Sequence, residues 1–288
     1  MARSAAIKGD FTNGQDVADR LRAGESYDPL VMTRGEIAFA AVAALQDPAF
    51  VAEVRNFSMD AASRSQLTGA IAADPNYVTG FRNAPRAAGL AIAALTSQGR
   101  DLEDAGEAVR LSAYSVQRQD WSKVFIPDRE GRLALAKSLG TNTPLASLDE
   151  DERARQAAVG ALPLPLPADA APAAPPYPPA VVRGMAIAAL ALLGGAGDDD
   201  AALTTPLLAD PPDQTCLTMA KLNLYQCLAV AKPYYEDIFC LGQHAMKDAG
   251  QCVRIAAGAP PPVVAPIPTA TQPVAKAKPG RKKHQKGR

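Results

Sequence analysis

The chain has 288 residues, which suits one or two domains, and its 30 basic and 30 acidic side chains give a formal net charge of zero. Hydrophobic residues make up 48% of it but aromatic residues only 5%, and alanine supplies much of the apolar share. This composition favours close-packed helices over sheets, so we expect an all-α helical bundle or array. No apolar run approaches the roughly 18 residues that a membrane-spanning helix needs.

The first half of the chain predicts a lead-in, residues 1–29, followed by helical unit 1 with extra helices, residues 30–160. Asp-Pro pairs restart helices and glycines end them, so these residues divide the sequence into separate helices. At Asp47-Pro48, for example, Asp47 is expected to be the N-cap and Pro48 the first helical residue. Gly99 is expected to close the third helix of the unit. The expected helices cover residues 33–46, 59–73, 82–96, 101–125, 131–140 and 147–159.

Proline marks two further segments. Residues 161–180 are a Pro-rich linker, with eight prolines from position 162 onward, and they form either a spacer or a strap across the surface. Residues 181–256 are predicted to form helical unit 2. Residues 257–288 are a disordered Pro-rich tail that ends in a basic cluster.

All four cysteines lie near the C-terminus, with the spacing C-x10-C-x12-C-x11-C. Cys216 and Cys227 are eleven residues apart, close to three helical turns, so they share one helix face. The midpoints of the inner and outer pairs nearly coincide at Pro233. This arrangement predicts an antiparallel helical hairpin with nested disulfides, Cys227 to Cys240 and Cys216 to Cys252.

The layout resembles the twin-cysteine helical hairpins of mitochondrial intermembrane-space proteins. Those hairpins carry C-x9-C on both helices, whereas this chain has C-x10-C and C-x11-C. The resemblance covers one hairpin only and carries no function over. Two alternatives are a zinc site, which lacks its usual short C-x2-C or C-x4-C knuckles here, and free or redox-active thiols, which lack a C-x-x-C motif. We therefore expect disulfides and no metal or cofactor.

Two stretches of the chain match each other. Residues 34–41 match residues 183–190, and the spaced residues Ala, Pro, Tyr and Phe of 73–81 recur in 231–239. These matches predict that residues 30–98 and 181–255 are two copies of one three-helix unit. Only the second copy carries cysteines. Such pairs of units follow the packing logic of helical repeats.

Motifs that indicate catalysis are missing from the sequence. It has two histidines and no G-x-S-x-G elbow, H-E-x-x-H motif or Walker loop. At the hairpin tip, however, a rigid turn could present side chains to a protein partner. An enzyme with an acidic active site near Glu236 is the hypothesis that we rank third and last. The partner-binding candidates are Tyr234, Tyr235, Glu236 and Asp237.

The compartment and the tail complete the expectations. Disulfides persist in oxidising compartments, yet the N-terminal residues show no signal-peptide core. We expect a processed, exported protein: a non-enzymatic scaffold or interaction module of the bacterial periplasm whose partner is another envelope protein. The alternative is a cytosolic protein that binds nucleic acid or another polyanion through its tail. The polyanion-binding candidates are Lys276, Lys278, Arg281, Lys282, Lys283, Lys286 and Arg288.

Overall fold

The computed structural model describes residues 2–57, 59–141, 147–158, 163–166 and 170–261. Within these ranges the regular elements are helices and no β-strand forms, so the all-α expectation is confirmed. The α-helices are α1 (Ala2–Ala5), α2 (Gly14–Glu25), α3 (Pro29–Ala44), α4 (Pro48–Phe57), α5 (Ala61–Ala73), α6 (Ala84–Val116), α7 (Arg129–Leu139), α8 (Leu148–Ala158), α9 (Pro179–Leu192), α10 (Ala201–Thr204), α11 (Pro211–Val230), α12 (Tyr234–Cys240) and α13 (Asp248–Ala256). A π-helical segment, Leu241–Lys247, joins α12 to α13, and we call the continuous helix Tyr234–Ala256 the C-terminal rod.

Helix α6 is the central element of the fold. It has 33 residues, which corresponds to a length of about 50 Å at 1.5 Å per residue. Along this length it contacts α3 and α9, and it packs extensively against the C-terminal rod. Both ends of the helix are therefore buried by elements that lie far apart in the sequence.

The apolar core consists of two large clusters that α6 connects. The first contains the Ala-rich faces of α3 and α9 together with Ala84 to Leu95 of α6. The second contains Leu102 to Val116 of α6, parts of α2 and α11, and the C-terminal rod. Alanine is the most frequent residue of the first cluster. Its small side chain lets the helices approach closely, as the Ala-rich composition predicts.

Glycines hold α6 against the C-terminal rod at backbone distance. A Cβ atom on Gly106 would lie 2.5 Å from the backbone nitrogen of Lys247, and one on Gly242 would lie 2.3 Å from that of Arg110. Closer to the N-terminus of α6, a Cβ on Gly99 would lie 2.8 Å from the backbone oxygen of Gly250. No real Cβ fits at such distances, so this interface requires residues without side chains.

The predicted helix end at Gly99 is wrong. The predicted helices 82–96 and 101–125 form the single helix α6, and the chain leaves that helix after Val116. Gly99 serves close packing against the C-terminal rod rather than helix termination, a distinction that local sequence does not make.

A separate helix, α4, also precedes the predicted helix 59–73, and Asp47 caps it by accepting hydrogen bonds from the backbone nitrogens of Ala49 and Phe50 at 2.8 and 2.9 Å.

The described parts of the Pro-rich segment lie against the helices. The backbone nitrogen of Ala173 donates to the carbonyl oxygen of Pro85 at the start of α6, at 2.8 Å. Tyr177 is buried in the first cluster, and Leu164 and Leu166 pack against its edge. These contacts fit the surface strap, one of the two alternatives that the sequence leaves open.

The duplication of a three-helix unit stays a prediction. Its two matched helices, α3 and α9, do pack along each other. After α9, however, the chain forms short turns and the four-residue α10, whereas α3 is followed by the ten-residue α4. The two halves therefore differ in the region where a repeat would require the same element.

Among the described helices, no single one is both long and apolar enough to cross a membrane. Helices α3 and α4 reach that length and composition only as a pair, and the chain bends by 90° between them. In this structure α3 buries one face in the first apolar cluster.

Candidate partner-binding groove at the hairpin tip

Helix α11 and the C-terminal rod form the predicted antiparallel hairpin, which turns at Ala231–Pro233. Both expected disulfides are present, with Cα atoms 5.7 Å apart for Cys227–Cys240 and 5.6 Å apart for Cys216–Cys252. We call the first the tip bridge and the second the base bridge. The nested pairing derived from the cysteine spacing is therefore confirmed.

Two arginines of α7 fix the C-terminus of α11, and the sequence analysis missed both. Arg129 donates to the carbonyl oxygens of Ala231 and Ala229, each at 2.8 Å. Arg132 donates to the carbonyl oxygen of Leu228. The last carbonyls of a helix lack partners within the helix and carry partial negative charge, so the guanidinium groups satisfy both needs. The only sequence signal was two arginines three residues apart in a short helix.

Asp237 lies inside the protein and is not available to a partner. Its carboxylate pairs with the guanidinium of Arg132, and its side chain is almost fully buried. Burial raises the pKa of Asp237 to about 6, although the Arg132 charge acts in the opposite direction. This acid therefore joins α7 to the hairpin, which corrects its prediction as a partner-binding residue.

Tyr234 also faces the protein. Its ring covers Gly14 of α2 so closely that a Cβ there would lie 2.4 Å from the ring. Its backbone nitrogen donates to the carbonyl oxygen of Val124 at 3.3 Å, and Ile126 donates to the carbonyl oxygen of Lys232 at 2.9 Å. The segment after α6 thus runs alongside the hairpin turn and places Phe125 next to it.

The remaining two candidates, Tyr235 and Glu236, line an open cavity of about 350 Å³ between α6, α11 and α12. We call this cavity the tip groove. Its ten lining residues are Ala113, Tyr114, Gln117, Cys227, Val230, Ala231, Tyr235, Glu236, Phe239 and Cys240. The tip bridge therefore forms part of the groove, and the rings of Tyr114 and Phe239 meet edge to face with centroids 6.3 Å apart.

Exposed apolar side chains lie both in the tip groove and on the elements that form it or adjoin it. Val230 is 72% exposed, Phe125 67%, Tyr114 56% and Leu111 50%. Clusters of exposed aromatic and aliphatic side chains of this kind are typical of interaction sites, because single exposed apolar residues are common but contiguous patches are not. The groove and its surroundings therefore form a candidate interface.

Charged residues of both signs lie at the groove. Arg118 and Lys232 are exposed and directly follow the lining residues Gln117 and Ala231 in the chain. Asp120 pairs with Lys123 at 3.5 Å, and the lining residue Glu236 accepts a hydrogen bond from an uncharged donor, the backbone nitrogen of Lys232, at 2.7 Å. Arg118 and Lys232 thus supply two exposed positive charges beside the single carboxylate of the groove.

Two buried ionisable clusters lie elsewhere. Thr33 donates to Asp213 at 2.5 Å, beside Glu36, whose carboxylate oxygens have no hydrogen-bond partner among the described residues. Burial raises the pKa of Glu36 well above its usual range, and the neighbouring Asp213 adds to this effect. Neither residue lines the tip groove.

The second buried cluster involves Lys221 of α11. Its ammonium group donates to the carbonyl oxygen of Glu25 and lies 3.9 Å from the centroid of the Tyr27 ring. Burial lowers the pKa of Lys221 to about 8 and raises that of Glu25 to about 7. These groups contribute a pH-dependent term to stability and lie apart from the tip groove.

The two neighbouring acids of the hairpin tip do not both reach the groove, since Glu236 lines it and Asp237 does not. Glu236 is the one acid among the ten residues that line the groove, so a paired-carboxylate site does not form there. Among the described residues, no group of three or more His, Cys, Asp or Glu side chains could hold a metal ion. The seven basic candidates of the tail, from Lys276 to Arg288, lie outside the described residues.

Compared with known protein families, with curated proteins and with solved structures, the chain shows no match. Function is therefore inferred from the chemistry of its own surfaces. Of these, the tip groove combines exposed aromatic side chains, a defined cavity and a covalently fixed wall.

Proposed function

We propose that the protein is a non-enzymatic helical interaction module of an oxidising, extracytoplasmic compartment, such as the bacterial periplasm, and that it binds a partner protein in the tip groove. The observation that carries the proposal is the apolar cavity over the tip bridge, with Tyr114, Tyr235 and Phe239 around it. Aromatic side chains in such a position are the usual anchors of protein interfaces.

The two disulfides support this choice of compartment. Structural disulfides are typical of oxidising environments and rare in reducing cytosol. Cys227–Cys240 and Cys216–Cys252 leave no free cysteine among the described residues. An extracytoplasmic location is the simplest setting in which both bridges persist.

The occupant that we propose is a protein segment with an aliphatic or aromatic anchor and acidic flanking residues. A small ligand is held in a cavity that encloses most of its surface, whereas this groove is open and its lining residues Val230 and Tyr114 are 72% and 56% exposed. A further exposed aromatic residue, Phe125, lies at the hairpin turn, where it forms an antiparallel bridge with Pro233. Arg118 and Lys232 would meet acidic groups of the partner, because complementary charges steer association.

Selection of short random peptides displayed on phage tests the proposal, with oxidised protein as the target. Enriched peptides are then titrated against purified variants by fluorescence anisotropy. Tyr114→Ser removes an aromatic wall of the groove. Tyr77→Ser is a matched control, because Tyr77 is 51% exposed and meets Phe81 edge to face with centroids 6.2 Å apart, outside the groove.

We expect peptides that combine an apolar anchor with acidic residues, and an affinity about tenfold or more weaker for Tyr114→Ser, as for the loss of an interface anchor. The Tyr77→Ser variant should bind as wild type, and affinity should fall with added salt. Equal binding by both variants, or no enrichment, would refute the proposal. Sedimentation of the free protein adds one outcome: a dimer that Tyr114→Ser dissociates would identify a second copy as the occupant and overturn the separate partner.

A further inference from the structure

We propose that the tip bridge makes partner binding redox-sensitive, an inference that rests on the proposed function of the tip groove. Cys227 and Cys240 both line the groove, whereas Cys216 and Cys252 do not. Cys227 is half-buried and Cys240 is buried. The tip bridge is therefore a cross-link between two walls of the groove and, through the half-buried Cys227, part of the surface that a partner would contact.

The two walls that this bridge joins are anchored differently. The α12 wall, with Tyr235 and Phe239, belongs to the C-terminal rod, which the glycine contacts hold against α6. The α11 wall consists of its last turn, with Cys227 and Val230. That turn is the end of a helix, where hydrogen bonding within the helix is incomplete. The arginines of α7 and the tip bridge hold it in place.

Reduction by a dithiol cleaves the bridge in a balanced step. The sulfur–sulfur bond takes up two electrons and two protons and gives the thiols of Cys227 and Cys240, while the dithiol becomes a disulfide. Two sulfur atoms that are no longer bonded move apart to van der Waals contact. Because these atoms line the groove, the surface beneath a bound side chain changes, and the last turn of α11 loses its covalent link to α12 while Arg129 and Arg132 still bind its carbonyl oxygens.

The base bridge provides a control within the same hairpin. It encloses a sequence separation of 36, against 13 for the tip bridge. A longer loop gains more stability from closure, so loss of the base bridge should destabilise the fold at least as much. If lost stability weakens binding, removal of the base bridge should weaken it at least as much as removal of the tip bridge. If a local change in the groove weakens binding, only removal of the tip bridge should do so.

The test measures the affinity of a peptide selected on the oxidised protein for two double variants, Cys227→Ala/Cys240→Ala and Cys216→Ala/Cys252→Ala. Thermal melting of each variant gives its stability under the same conditions. We expect the tip variant to bind about tenfold more weakly, a change of about 1.4 kcal/mol. The base variant should bind within about twofold of wild type despite an equal or larger loss of stability.

Each outcome separates the two proposals. If both double variants bind as wild type does, the redox inference is wrong while the groove remains a binding site. Equal weakening in both variants would assign the effect to general destabilisation and would also overturn the inference. A peptide whose binding to the oxidised protein does not respond to Tyr114→Ser would instead refute the proposed function itself.

Discussion

Replacing Gly242 with alanine tests whether the close contact between α6 and the C-terminal rod holds the fold together. The new Cβ would lie 2.3 Å from the backbone nitrogen of Arg110. Ordinary contact begins at 3.4 Å, so the helices must separate by 3.4 − 2.3 = 1.1 Å. The clashing atoms are the new Cβ and the backbone nitrogen of Arg110. Neither atom moves when a side chain changes rotamer, so a rotamer change cannot relieve the clash.

Overpacking of this kind costs roughly 1–3 kcal/mol or more, while the better helix propensity of alanine returns up to about 1 kcal/mol. Since separation also loosens the contacts at Gly99 and Gly106, we expect a net loss of about 2 kcal/mol, or roughly 4–8 °C in melting temperature. The measurement is urea unfolding followed by circular dichroism. Gly69→Ala is the control, because a Cβ there meets nothing within 4 Å; it should stabilise by up to about 1 kcal/mol. A Gly242→Ala variant as stable as wild type would refute the packing account.

Three further predictions concern buried charges and the base bridge. Folding keeps a proton on Glu36 that the unfolded chain, with a carboxyl pKa of 4.5, releases. Stability should therefore fall as pH rises above that value, and the gain in melting temperature of Glu36→Gln over wild type should grow between about pH 5 and pH 8; a gain that shrinks with pH would contradict this. Arg132→Met leaves Asp237 without its partner and should cost about 3–5 kcal/mol in urea unfolding. Adding Asp237→Asn should recover part of that loss, and a double variant no more stable than the single one would argue against the pair. Thiol titration of the denatured, unreduced protein should find no free thiols, and Cys216→Ala with Cys252→Ala should lower stability by about 3–4 kcal/mol; four titratable thiols would exclude both bridges.

The sequence predicted those parts of the fold that depend on local patterns. Asp47 caps its helix as expected because a carboxylate next to a first-turn proline satisfies free backbone donors wherever it occurs. The nested disulfides followed from the common midpoint at Pro233, since an antiparallel hairpin brings positions equidistant from its turn together. Neither prediction needed knowledge of distant residues.

The errors concern residues whose role depends on tertiary contacts. Gly99 carries the same local signal whether it ends a helix or admits a neighbouring backbone, and only the approach of Gly250 decides between them. Asp237 was predicted to meet a partner because it follows the exposed turn, but helix α7 supplies Arg132 and covers it. Tyr235 and Glu236 did reach the groove, which lies between α12, α6 and α11.

Helix α6 also determines when the protein can complete its fold. Gly106 and Gly242 are separated by 136 positions in the chain. At about 5–20 residues per second, synthesis of that interval takes roughly 7–30 s. During this time the glycine- and alanine-rich face of α6 has been made while its partner helix has not. Assembly of the second cluster is therefore a late event, because it cannot be completed until the C-terminal rod has been synthesised.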